Sequence, residues 1–391
     1  MIELAARFAG FPSYPLADVP QIKRELLARG VDVLDLGAGD ADLAPPPAAV
    51  QALVDAAGRT EMSRYPFQLG LPAFREAVTD WMSKRFGVTL DPFREILPLI
   101  GSKEGIAHLA LAYVGPGTAT VFPDPGYLPY LGGTLLAGGD PHAVALRPEN
   151  DFLIPLDAIP TEVARRTRIL YLNYPNNPTA AAAPRAYLED AVRFCRDHGA
   201  ILAYDNAYSE IAFDGYAPPS ILEIDGAMDV AVEFHSFSKT YNMTGWRIGW
   251  AAGSPDAIAA LSRVKSFVDT GQFLVVQAAA VAALESWQTW LPANIEAFRA
   301  RRDAMVAALT SGGFSVTSPR ATMYLWVPVP GGLSEPFARR ALMEQGVVVM
   351  PGAALGSGGE GFFRVALTQP EDRLRVAASR LATLLDDDSR T

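Results

Sequence analysis

The chain has 391 residues, half of them hydrophobic and 19% charged, enough to build a large core shared by two domains or by one large domain and a smaller one. A net charge of −10 with no basic tract argues against nucleic acid as the main partner. The single cysteine, Cys195, excludes an internal disulfide and fits a reducing, cytoplasmic setting, while the lack of a long apolar run or a secretory leader argues against a membrane. The four histidines, His108, His142, His198 and His235, are scattered along the chain, so no metal site is expected.

Phe11-Pro12-Ser13-Tyr14-Pro15 reads as an irregular arm. Asp18-Val19-Pro20 then opens a helix that closes at Gly30, with proline tolerated in the first turn. Val33–Leu36 reads as a short strand leading into Gly37-Ala38-Gly39-Asp40. This is not a dinucleotide loop: the third glycine is missing and prolines follow at 45 to 47 where a helix should open at once. The glycines read either as a flexible turn or, at Gly39, as a backbone that approaches a ligand closely, which only glycine permits. Ser63-Arg64-Tyr65-Pro66 leads to a helix from Pro72 with Phe74, Val78, Trp81 and Phe86 on its apolar face.

Ile96–Ile100 reads as a strand, and Gly101-Ser102-Lys103-Glu104-Gly105 turns from it into a helix ending near Tyr113. Free backbone N–H groups and a hydroxyl at such a helix start make an anion site. A second strand ends at Val121–Phe122, before Asp124-Pro125-Gly126-Tyr127. The strand Ile169–Leu172 leads into Asn173-Tyr174-Pro175-Asn176-Asn177-Pro178-Thr179, where two prolines stiffen a turn that can aim one amide. A helix over Arg185–His198 precedes the strand Ile201–Tyr204, which presents Asp205 at its end, with Tyr208 just beyond.

Val230–Phe234 is apolar and β-branched, reads as a buried strand, and ends in His235-Ser236-Phe237-Ser238-Lys239-Thr240; Arg247 follows eight positions after the lysine, before a strand over Ile248–Ala252. Burying an unpaired ammonium is costly, so a lysine at a strand end, where open α/β sheets hold ligands, points to amine chemistry. Helices are expected over Pro255–Asp269, Phe273–Glu285, Asn294–Leu309, Glu335–Gln345 and Glu371–Leu385, and strands over Tyr324–Val329, Val347–Met350 and Gly361–Leu367. Arg364 alternates against apolar neighbours in the last strand. The tail Asp386–Thr391 is expected to fray.

Ser-x-Ser-Lys239 followed by Gly-Trp-Arg247-Ile-Gly, with the Asn173–Thr179 string and Asp205-x-x-Tyr208, resembles the class I/II aminotransferases, which use pyridoxal 5'-phosphate. The resemblance runs from about Tyr14 to Arg364. It implies an α/β fold of the PLP-dependent transferase type I: a large domain with a mostly parallel seven-stranded sheet, and a small α+β domain. The expected division is residues 1–45 for the N-terminal arm and part of the small domain, 46–285 for the large cofactor-binding domain, and 286–391 for the C-terminal small domain.

The resemblance also implies a parts list. Lys239 binds the cofactor covalently and, once freed, moves a proton as general acid/base, with Asp205 and Tyr208 as the other catalytic groups. Asp205 pairs with the ring nitrogen, Tyr127 stacks on the ring, and Asn177 and Tyr208 reach the phenolic oxygen. Ser102, the Lys103 position, Ser236, Ser238 and Arg247 hold the phosphate, joined by Tyr65 from a partner chain, so a homodimer with sites at its interface is expected. Arg364 forks onto the substrate carboxylate, with Tyr14, Gly39 and Asn177 on the substrate side. The family usually places Gly after the Thr of the asparagine turn; here it is Ala180, a mild departure beyond the contacting amide.

The expected reaction is amino transfer from an L-amino acid to a 2-oxo acid by a two-step ping-pong route. Ile100–His108, Tyr208–Gly215 and Ser238–Arg247 are most like the LL-diaminopimelate aminotransferase type. An aspartate, alanine or glutamate aminotransferase and a C–S lyase on the same scaffold stand as alternatives. The intact cofactor set argues against a silent binding module. A second substrate carboxylate would want another cation, and Lys23, Arg24, Arg64 and a partner residue all stay open.

Overall fold

A computed structural model describes residues 2–11, 18–67 and 69–388. Tyr14, expected on the substrate side, lies outside the described residues. The first part of the chain carries α1 (Val19–Ala28), β1 (Leu34–Asp35), α2 (Pro47–Ala57), α3 (Pro72–Phe86), β2 (Ile96–Leu99), α4 (Ser102–Tyr113), β3 (Ala119–Asp124), α5 (Pro129–Ala137), β4 (Asp140–Ala145) and α6 (Thr161–Arg166). There follow β5 (Thr167–Leu172), α7 (Arg185–His198), β6 (Ile201–Asp205), β7 (Ala231–Ser236), α8 (Phe237–Thr240), β8 (Gly249–Gly253), α9 (Pro255–Val268), α10 (Leu274–Glu285) and α11 (Trp287–Ser311). The last part carries β9 (Tyr324–Pro328), α12 (Ser334–Gln345), β10 (Val347–Val348), β11 (Met350–Pro351), β12 (Phe362–Ala366) and α13 (Glu371–Asp388). Pro47, Pro72, Pro129 and Pro255 each open a helix, where the missing N–H is not needed.

One seven-stranded sheet runs in the order β2-β8-β7-β6-β5-β3-β4. Its strands are parallel except β8, which is antiparallel to both neighbours. β5 and β7 are buried almost throughout, as a sheet covered on both faces demands. One face packs Trp81, Phe237 and Trp250 with α3, α7 and α10; the other packs Ile106, Tyr171 and Phe234 with α4, α5 and α9. The expected seven strands and mostly parallel order are therefore what the chain forms.

A second core gathers Phe298, Phe314, Phe337, Phe363 and Leu381 around the antiparallel sheet β11-β12-β9 and helices α11, α12 and α13. β1 pairs in parallel with β10, Leu34 opposite Val347. The first strand thus joins the end of the chain, and Arg301 on α11 fastens the segment after it with two bonds to Asp42, at 2.6 and 2.9 Å.

Several expectations need correction. Val347–Met350 is not one strand: Val347–Val348 pairs with β1, and Met350–Pro351 with β12, because the chain changes sheet at Val349. α11 starts at Trp287, not Asn294, and runs through Pro292; packing of Trp287, Trp290 and buried Leu291 on the core offsets the one lost backbone bond. α13 runs on to Asp388, into the tail expected to fray. α2, α5, α6 and β4 were not expected; β4 is a half-exposed edge strand with no apolar run to betray it. Among the described residues no helix is long and apolar enough to cross a membrane.

Candidate active site

The parallel strands all deliver their carboxyl ends to one rim of the sheet, and antiparallel β8 delivers its start there. A cavity of about 890 Å³ opens at this rim. Gly39, Ser102, Lys103, Tyr127, Asn177, Asp205, Tyr208, Ser236, Ser238, Lys239, Arg247 and Arg364 all line it. Tyr65 does not: its side chain is 74% exposed, away from the cavity of its own chain.

At one end lies the start of α4. Ser102 is buried there, and Arg247 approaches Gly101 so closely that a Cβ would lie within 3.1 Å of the guanidinium carbon. Gly101 takes φ +74, so this turn needs glycine for both its conformation and its space. Arg247 itself stands at φ +55, a costly conformation for a side-chain-bearing residue. It is held there by the Gln272 side chain, which donates to the carbonyls of Trp246 and Arg247. The Arg247 guanidinium donates to the Thr244 carbonyl at 2.8 Å and to Ser238 Oγ at 3.4 Å. Ser236 caps the short helix α8 by accepting from the Ser238 N–H at 3.2 Å. Backbone N–H groups, three hydroxyls and a fixed cation thus converge on one spot.

Mid-cavity, Asp205 ends β6. Tyr130 donates to its Oδ2 at 2.8 Å and Asn173 to its backbone carbonyl at 2.6 Å. Its Oδ1 is buried and meets no hydrogen-bond donor within ordinary bonding geometry. Burial pushes the carboxyl up to about 6, against the Tyr130 bond and the positive charges of His235 and Lys239. Tyr127 lies edge-on to Tyr130, centroids 5.8 Å apart.

Asn173 also accepts from the Asn177 N–H at 2.7 Å, and Asn176 accepts from both the N–H and hydroxyl of Thr179. This knot sets the Asn177 amide, whose Oδ1 accepts from Arg364 Nη1 at 2.7 Å. Arg364 Nη2 donates to the Gly37 carbonyl at 2.6 Å, and its Nε is buried without a partner. Gly39 lines the cavity with Arg364, and its carbonyl accepts from Lys239 Nζ.

Sequence reasoning missed Tyr130, the anchoring part played by Asn173, and Tyr324. The Tyr324 ring lies 4.2 Å beneath the Arg364 guanidinium, and its hydroxyl stands 3.3 Å from that of Tyr208. Burial works to raise the Tyr324 phenol, but the charges of Lys239 and Arg364 and the Tyr208 bond outweigh it and hold it below its usual value. The alternation of β9 on an apolar strand was the only signal, and it reads as core.

The histidine reading also changes. His108 lies one turn from Glu104, Nδ1 2.6 Å from the carboxylate, and Asp269 joins them. The centre is taken by the fully buried Lys265 ammonium, 2.9 Å from Glu104 and 3.0 Å from Asp269, which supplies the positive charge those carboxylates need.

A fold of this order, with a lysine, an aspartate and an anion cradle at one sheet rim, defines the class of protein. Residues 31–381 match the family described as aminotransferase class I and II, and the chain belongs to that family. It is a pyridoxal-phosphate-dependent transaminase, working on amino acids and 2-oxo acids. It is 50% identical over 378 residues to an LL-diaminopimelate aminotransferase of Desulforudis audaxviator, covering 96% of each chain. It is 47% identical to an LL-diaminopimelate aminotransferase of Moorella thermoacetica, covering 97% of this chain and 98% of the relative. Among solved structures, a probable N-succinyldiaminopimelate aminotransferase from Thermus thermophilus superposes with a TM-score of 0.88 at 40% identity, covering 93% of this chain and 98% of that one.

The cavity fits the cofactor. The unpartnered Asp205 Oδ1 suits a cationic ring nitrogen, and the cradle around Ser102, Ser236, Ser238 and Arg247 suits a phosphate.

Proposed function

We propose that the enzyme transfers an amino group from LL-diaminopimelate to 2-oxoglutarate. The observation that carries this reading is the charge of the outer cavity. Asp35 and Asp40 line the same cavity as Arg364, and Lys23 pairs with Asp35 at 2.8 Å. Both signs of charge are what a donor with an ammonium and a carboxylate at its far end requires. The names of the two relatives above agree with it.

The bound cofactor supplies an electron sink for the pair left when a proton leaves the substrate Cα. The chain's residues do the rest. Arg364 and Asn177 grip the α-carboxylate, which fixes the Cα–H direction. The Lys239 amine, freed from the cofactor, takes that proton from Cα and returns it on the cofactor side. Asp205, kept desolvated by Tyr130 and the surrounding core, holds the ring nitrogen cationic. Tyr208 and Asn177 hydrogen-bond the phenolic oxygen. Arg247 with Ser102, Ser236 and Ser238 anchors the phosphate, Lys103 lends charge beside it, and Tyr127 covers the ring.

Tyr65 completes the cradle from a second copy, making the working form a homodimer; its exposure, next to exposed Phe67 and Leu69, supports this. The division at residues 45 and 285, and residence in the cytoplasm, complete the reading.

The test is a half-reaction screen. The loaded enzyme is mixed with single L-amino acids, LL-diaminopimelate included, and the cofactor absorbance is followed. Conversion to the amine form with LL-diaminopimelate, reversed by 2-oxoglutarate, is expected. Conversion only by aspartate or alanine, or release of ammonia and oxo acid without an acceptor, overturns the substrate or the reaction.

A further inference from the structure

We infer that Tyr324 is a positioning residue that joins the carboxylate clamp to the proton-transfer lysine. This rests on the reading of Arg364 as the clamp and Lys239 as the proton carrier.

The placement follows from strand register. β9 and β12 run antiparallel with Arg364 opposite Trp326 and Ala366 opposite Tyr324. Tyr324 and Arg364 are therefore diagonal neighbours on one face of the sheet, a separation that an aromatic ring and a long side chain can span. The ring centroid lies 4.2 Å from the guanidinium carbon, and both side chains are buried. A desolvated guanidinium over a ring face is a strong contact, and it fixes the plane of the fork. Asn177 and Gly37 hold the two terminal nitrogens. The ring supplies the remaining constraint, from below.

The hydroxyl reaches the other way. It meets Tyr208 at 3.3 Å and packs on Gly39, where any Cβ would overlap it. The same residue also receives Lys239, whose amine donates to the Gly39 carbonyl. Gly39 is thus touched by both Tyr324 and the lysine. The ionisable groups facing the phenol are Tyr208, Lys239 and Arg364, and all three belong to the reaction. One side chain sets the distance between where the carboxylate is held and where the proton is taken.

Ring and hydroxyl separate by mutation. Tyr324→Phe keeps the plate under Arg364 and loses only the hydroxyl; Tyr324→Leu loses both. We expect Tyr324→Phe to lower kcat with donor KM within about twofold, and Tyr324→Leu to raise donor KM about thirtyfold as well. A readout without turnover is calorimetric binding of 2-oxoglutarate to the cofactor-loaded protein in the absence of donor. Tyr324→Leu should weaken this binding by a similar factor, and Tyr324→Phe should not.

The decisive comparison is the double variant. In an Arg364→Ala background, Tyr324→Leu should add little to the loss of 2-oxoglutarate affinity, because the ring acts through the arginine. Fully additive losses, or a Tyr324→Leu affinity equal to wild type, overturn the inference. If Arg364→Ala alone leaves 2-oxoglutarate affinity unchanged, the clamp reading fails first, and that outcome is separate. Tyr324→Phe preserves the packing volume, so its kcat stays interpretable even if Tyr324→Leu proves poorly folded; a kcat equal to wild type refutes the hydroxyl's part.

Discussion

Asn177 and Arg364, 187 residues apart in the chain, share a 2.7 Å hydrogen bond in the floor of the cavity. The bond joins the turn after β5 to the strand β12, so the two sheets meet at the point proposed to hold the substrate carboxylate. Replacing Arg364 by Ala removes a charged, bidentate partner, and donor KM should rise about a hundredfold. Arg364→Lys should recover only part of this, because an ammonium cannot fork. Initial rates against donor concentration measure both, and an unchanged KM in Arg364→Ala would place the clamp elsewhere.

Tyr65 should act from the partner chain. Tyr65→Ala and Lys239→Ala chains, each weak or dead alone, form hybrid dimers when unfolded and refolded together. One of the two sites in each hybrid then has an intact lysine and an intact tyrosine. Activity above that of either parent is expected, and no gain would show that Tyr65 serves its own chain or no site at all.

Asp205 makes stability depend on pH. Its folded-state value is raised by burial from 3.8 to about 6. A carboxyl with a raised folded value contributes stability below its unfolded pKa and loses it as pH rises through the folded one. The cofactor-free wild type should therefore lose on the order of 1 kcal/mol relative to Asp205→Asn between about pH 5 and about pH 7.5. Urea unfolding of both apoproteins at the two pH values measures it; a gap independent of pH would contradict the burial argument. The same variant should bind the cofactor more weakly, since Oδ1 loses its charge.

Ala180 stands at φ +59, a left-handed conformation that a Cβ makes costly. This explains physically why the resembled family favours glycine there. Ala180→Gly relieves the strain but adds freedom to the unfolded chain, so a net gain of up to about 1 kcal/mol is expected. Thermal or urea melts should show it, with kcat unchanged, because the amide that matters is Asn177.

Ser236, Ser238, Lys239 and Arg247 stood out because they lie within one strand–turn–strand; their part as a phosphate end came from the resemblance. The sheet was legible for a related reason: its strands are short apolar runs punctuated by Pro and Gly. What escaped depends on long-range pairing. Tyr130 reaches Asp205 from 75 residues away, and Tyr324 meets Tyr208 across 116. Both read as core aromatics, which they also are. α5 escaped because Gly132 and Gly133 break its pattern; Gly133 instead lets the helix close on Ala107 of α4, whose Cα would lie 3.1 Å from a Cβ. The Glu104–His108 pair, one helical turn apart, was passed over, and Lys265 and Asp269, which give it meaning, come from α9 and the residue after it.

The bond from Arg364 to the Gly37 carbonyl spans 327 residues. A ribosome has made the lysine, the aspartate and the whole phosphate cradle well before it reaches position 364. The residues proposed to hold the cofactor are complete by Arg247, whereas the proposed grip on substrate waits for Arg364 in β12. The groups proposed for cofactor and those proposed for substrate are thus completed at different times in synthesis, and cofactor colour alone does not report on the substrate clamp.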